Sequence, residues 1–160
     1  MGKGKISLTP QNRHLAGFME LEDEYLVIPP EIVVDGEKRK IGAIGSAAFA
    51  SCRDLRTVVL LEGITKIGAR AFERCGNLRD MEVPGSLTEI GRNAFWGCES
   101  LEVIRIPESV VSIGSGVFCR CSSLRRGEHS IRNPCNRAGH ISALQSDGTC
   151  ASPGQYHQNW

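Results

Sequence analysis

The chain lacks most of what would mark a membrane, nucleic-acid or secreted protein. No run of about 18 apolar residues occurs, so no stretch is long enough to cross a bilayer as a helix. Neither sign of charge prevails: 19 Lys plus Arg face 18 Asp plus Glu, a formal +1. A nucleic-acid binder should carry a basic stripe and an acidic solvating tail the reverse, so neither is expected. Met1-Gly-Lys-Gly-Lys-Ile-Ser7 is basic, but Thr9-Pro-Gln-Asn-Arg-His14 follows where a signal peptide requires an apolar stretch. The myristoylation motif wants Ser or Thr where Ile6 stands, with Ser7 one place late. These absences favour a cytoplasmic chain without membrane insertion.

Catalytic signatures are equally scarce. There is no nucleophile elbow, P-loop or His-Glu-x-x-His helix. Gly114-Ser115-Gly116 is a stub of a dinucleotide fingerprint without its third glycine. Cys135, Cys150, His129, His140 and His157 lie towards the C-terminus. Zinc ligands usually come as close pairs, whereas His129 to Cys135 leaves five residues between and Cys135 to His140 four. The expectation is a non-enzyme without metal or cofactor.

Aromatic residues make up only 6% of the chain, and that scarcity exposes its organisation. Four of the five phenylalanines are Phe49, Phe72, Phe95 and Phe118, each 23 residues after the last. Ile44-Gly45, Ile67-Gly68, Ile90-Gly91 and Ile113-Gly114 recur in step, as do Cys52, Cys75, Cys98 and Cys121, and Leu55, Leu78, Leu101 and Leu124. Ala48, Ala71 and Ala94 precede their phenylalanines, with Val117 in the fourth copy. Within one copy, Ile67, Ala71, Phe72, Cys75 and Leu78 lie on one face of a helix or tight helical turn. Met81 and Val83 alternate as a very short strand. Pro84-Gly85-Ser86 turns the chain, and Leu87 and Ile90 point back inside. Each coil is therefore expected to be a short strand, a turn and a short helix. No coil buries its apolar face alone, and stacking coils about 4.8 Å apart builds a continuous core.

The third copy, Ile90-Gly-Arg-Asn-Ala-Phe95-Trp-Gly-Cys98-Glu-Ser-Leu101-Glu-Val-Ile104-Arg-Ile106-Pro107, resembles the BspA-like leucine-rich repeats. The resemblance covers roughly residues 20–124. It implies an α/β repeat solenoid, a right-handed coil of short strands and short helices, used for binding a protein or other ligand. It implies no catalytic residue, and a setting that is often the cell surface.

Leu26-Val-Ile28-Pro29-Pro30 reads as a strand and turn, and Ile32 to Lys38 as a β-hairpin around Asp35-Gly36. The hairpin suits an N-terminal cap, and Glu37-Lys-Arg-Lys40 reads as a solvated strand edge that blocks unwanted pairing. After Leu124 the pattern breaks. From 126 to 160 only 3 of 35 residues are Val, Ile, Leu, Met or Phe, against 26 of 81 from 44 to 124, so this tail carries no core. The expected division is a flexible N-terminus (1–19), a solenoid (20–124: hairpin cap 20–43, coils from 44, 67, 90 and 113) and a disordered tail (125–160). The fourth coil then lacks an evident polar cap. The tail could fold loosely over it, the open end could pair end to end with another chain, or the chain could be a truncated piece of a longer array.

The repeating cysteines suit a ladder of buried free thiols, while Cys119 is expected to face outward. Residues between the inward strand positions should project to solvent in two columns, Thr57, Asp80, Val103 and Val59, Glu82, Arg105. Glu82 and Arg105 would be cross-strand neighbours able to pair. Trp96 follows Phe95 on the helical side as an interface anchor. The functional expectation is recognition of a protein or peptide by the strand face. The alternative is a structural fragment of a longer surface array with no independent activity.

Overall fold

The computed structural model describes residues 6–8, 25–34 and 36–124. The tail from 125, with its cysteines and histidines, lies outside the described residues, as does Asp35 of the expected turn. Two parallel sheets run along a β-solenoid. One orders β2 (Tyr25–Ile28), β5 (Thr57–Leu60), β7 (Asp80–Glu82) and β9 (Val103–Ile104). The other orders β1 (Ile6–Leu8), β4 (Glu37–Ile44), β6 (Lys66–Ile67), β8 (Glu89–Ile90) and β10 (Ser112–Ile113). β3 (Glu31–Val34) pairs antiparallel with β4, from Glu31↔Lys40 to Val34↔Glu37.

Each turn of the chain contributes one strand to each sheet. The register repeats with the sequence: Thr57 pairs with Asp80 and Asp80 with Val103, while Ile44, Ile67, Ile90 and Ile113 stand in line. From Ile44 to Ile113 the chain completes three turns, and a partial fourth runs on to Leu124. Ile6–Leu8, expected within a flexible N-terminus, runs parallel to β4 and occupies its otherwise open edge.

The expected short helices do not form: among the described residues there is none. The hydrogen bonds give the reason. Ala71, Glu73 and Cys75 donate their backbone N–H three residues back, to Gly68, Arg70 and Phe72. The alternate residues Arg70, Phe72 and Arg74 donate instead to Arg92, Ala94 and Trp96 of the next coil, at 2.7–2.9 Å. An α-helix would direct every N–H along its own axis to the residue four back. Here half the donors tie one coil to the next. The geometry needs left-handed backbone at two positions per coil, Arg70 (φ 58°) and Arg74 (φ 59°), repeated at Asn93 and Gly97 and at Gly116 and Arg120. A right-handed helix has no place for such residues.

The core is the set of inward columns. Phe49, Phe72, Phe95 and Phe118 stack with centroids 5.4, 5.6 and 5.6 Å apart and planes within 7°. Ile67, Ala71, Phe72, Cys75 and Leu78 are fully buried, as the spacing predicts, although they line a chain of turns and not a helix face. The glycine after Ile67, Ile90 and Ile113 is demanded by coil-to-coil approach. A Cβ on Gly91 would sit 2.5 Å from the Ala69 backbone nitrogen and 2.6 Å from the Gly68 carbonyl carbon.

Candidate functional site

The strand face is built by β5, β7 and β9. Their register brings Thr57, Asp80 and Val103 into one row across the sheet, with Asp80 and Val103 exposed and Thr57 half-buried. In the second column Val59 pairs with Glu82, and Arg105 follows just past the end of β9. Glu82 and Arg105 are exposed, but Val59 is only 8% exposed and does not project to solvent. It lies between Val27 and Glu82 on the flanking strands, which cover so short a side chain. Among the described residues Glu82 and Arg105 do not pair with each other. Coil-to-coil ion pairs include Arg79 with Glu102 at 3.1 Å and Lys66 with Glu89 at 2.8 Å.

Trp96 sits apart from that face, in the turn segment between β8 and β9, and is half-buried. Arg74 and Arg120 flank its ring, at 5.2 and 4.9 Å from the centroid. These three line a depression of about 570 Å³ together with Arg53, Asn77 and Glu99. Neither arginine stood among the candidates read from sequence. The available signal was positional: 74, 97 and 120 form one repeat column, and glycine at 97 leaves it open beside Trp96.

The cysteines form the expected ladder inside the turns. The Sγ of Cys75, Cys98 and Cys121 each donates to a carbonyl of the preceding coil, of Phe49, Phe72 and Phe95, at 3.1 Å. Burial pushes the Cys75 thiol up from 9.0 to about 12, with a further contribution from neighbouring Cys52, and pushes Cys121 up to about 12. Cys98 is raised further still, by burial first and then by Cys121 and Cys75. Cys119, expected to face outward, is buried at 5% exposure, with its sulfur engaged in a disulfide. Among the described residues no three His, Cys, Asp or Glu side chains converge as a metal site.

The raised thiols make stability depend on pH. A thiol that holds its proton more tightly when folded supports the fold fully below its unfolded pKa, and that support is lost as pH rises towards the folded value. The urea midpoint should therefore fall between about pH 9 and about pH 12. Cys75→Ser, which can still donate to the Phe49 carbonyl but does not titrate there, should flatten that fall. Equal slopes for the two proteins would refute the assignment.

The stacked columns of Ile-Gly, Phe and Cys, closed by two parallel sheets, decide the family. A family model of the BspA type leucine rich repeat region, in 6 copies, matches residues 39–136. The chain belongs to this family. The BspA-type match begins later and ends later than the 20–124 expected from the motif. Solved structures agree. The chain is 34% identical to the T. pallidum leucine-rich repeat protein TpLRR, with a TM-score of 0.58 over 66% of this chain and 48% of that one. It thus spans about half of TpLRR. A leucine-rich repeat protein from Bacteroides capillosus is 28% identical, with a TM-score of 0.64 over 78% of this chain and 86% of that one. A leucine-rich cell surface protein from Faecalibacterium prausnitzii is 25% identical, with a TM-score of 0.51 over 64% and 34%. No curated protein gives a significant match. Among the described residues no helix is long and apolar enough to cross a membrane.

Proposed function

We propose that the chain is a non-catalytic recognition module that binds a protein or peptide partner across its strand face. The carrying observation is the row of Thr57, Asp80 and Val103 held in register, with Glu82 and Arg105 exposed beside it. Solenoids use such a surface because successive coils repeat one small contact over a long span. The recognition unit is taken as the coils from residue 44 to 124, with β2, β3 and β4 as the N-terminal cap.

Asp80, Glu82 and Arg105 changed together to alanine should abolish retention of those ligands, selected by the wild-type chain from an unbiased peptide array, that a variant without the Arg74 and Arg120 side chains still retains. The variant should keep its melting temperature, since all three side chains are exposed. Unchanged retention would remove the strand face as the site. A second reading, a structural part of a longer array that could also join end to end through its fourth coil, is favoured by the 48% and 34% shares of the longer relatives. Under that reading no ligand the array returns would depend on Asp80, Glu82 and Arg105.

A further inference from the structure

The turn side carries a surface that strand-face recognition leaves unused. The repeat column at 51, 74, 97 and 120 holds left-handed backbone in each coil and reads Ser51, Arg74, Gly97 and Arg120. Gly97 adds no side chain to this column, and the Trp96 ring beside it lies between the two arginines. One guanidinium arrives from the coil before and one from the coil after, 5.2 and 4.9 Å from the ring centroid. Arg74, Arg120 and the nearby Arg53 are exposed and form no ion pair among the described residues. Their donors are therefore available.

This arrangement differs from a set of loose surface arginines. Contact with an aromatic ring holds the planar guanidinium, so less side-chain freedom is lost when its fork meets a carboxylate. Arginine also stays charged across the physiological pH range. Arg74 and Arg120 are two coils apart, roughly 10 Å at about 4.8 Å per coil. A peptide extended as polyproline II advances about 3.1 Å per residue with three residues per turn, so side chains three residues apart lie on one edge and span about the same distance.

We propose that the depression around Trp96 binds an extended acidic peptide, two of whose carboxylates pair with Arg74 and Arg120. Asn77 and Ser100 line the same depression and offer groups that can meet a peptide backbone. Glu99 also lines it and repels a uniformly charged polyanion, such as a sulfated polysaccharide, while tolerating a peptide whose acidic residues are spaced. The formal net charge of +1 gives no general attraction for polyanions either.

The test is fluorescence anisotropy with the full chain and a short labelled peptide carrying glutamate at every third position, with glycine and serine between. Binding should be saturable, and the glutamine counterpart should bind at least about tenfold more weakly. Arg74→Ala with Arg120→Ala should lose at least about tenfold in affinity. The corresponding double lysine variant, which keeps charge but loses the planar fork, should also be weaker than wild type. Arg92→Ala removes an exposed arginine outside the depression and should bind as wild type does. Circular dichroism melts accompany each variant. If the double alanine variant unfolds, the lysine variant and Arg53→Ala carry the comparison. Equal affinity for the glutamine peptide, or no loss in the folded arginine variants, would overturn the site. Displacement of the peptide by heparin fragments at equal charge concentration would overturn the assignment to a peptide.

Discussion

Phe95→Ala should lower the free energy of unfolding by about 3–5 kcal/mol. Its ring is fully buried and lies between Phe72 and Phe118, with centroids 5.6 Å away on each side. Truncation removes a large apolar surface and opens a cavity that the neighbours cannot close. Phe72 and Phe118 are each held by their own coil's turns, and the coils cannot approach further because their backbones are already hydrogen bonded. Stacked rings add about 0.5–1.5 kcal/mol per pair beyond burial, and this change breaks two pairs. A solenoid transmits stability only between nearest neighbours, so the loss falls on two interfaces at once. Phe118→Ala should cost less, since Phe118 is only half-buried and has one stacked partner among the described residues. Urea denaturation of the purified variants would decide it, and a Phe95→Ala midpoint close to wild type would refute the stacked core.

Gly91→Ala should cost about 3 kcal/mol or more, or prevent folding. The added methyl meets backbone atoms at 2.5 and 2.6 Å, and these belong to Ala69 and Gly68, which a rotamer change cannot move. Relief requires the coils to separate at this point. Separation would lengthen the Gly91 N–H bond to the Ile67 carbonyl, now 2.7 Å, and loosen the Ile67↔Ile90 pairing beside it. Gly76→Ala supplies the control, because a Cβ there meets nothing within 4 Å. Similar thermal stability of the two variants would show that coil spacing is not what demands glycine at 91.

Much of the fold could be read before any coordinates, and for a simple reason. A repeat places chemically identical residues at the same height in successive coils, so burial in one copy is burial in all. The Phe, Cys, Ile and Leu columns and their 23-residue spacing thus identify the inward surface and the strand register directly. The thiol ladder followed from the same logic, since a small apolar side chain suits a crowded turn. Gly97, Gly116 and Asn93 also stood in the columns that prove left-handed, which was a visible warning against helices.

The remaining features depend on what the neighbouring coil offers. The i, i+4 and i+8 spacing that suggests a helix is equally compatible with turns whose alternate N–H groups reach the next coil. That choice is made by carbonyls 22 residues away, which local pattern does not weigh. Val59 is hidden by flanking strands, and Cys119 is buried with its sulfur in a disulfide, so neither exposure could be judged from alternation. The Arg74, Trp96 and Arg120 cluster arises from three separate coils and from the space left at Gly97. The linear order of residues therefore settles which side chains face inward. The conformation of the turns and the composition of the outer surface are settled by packing and hydrogen bonding between coils.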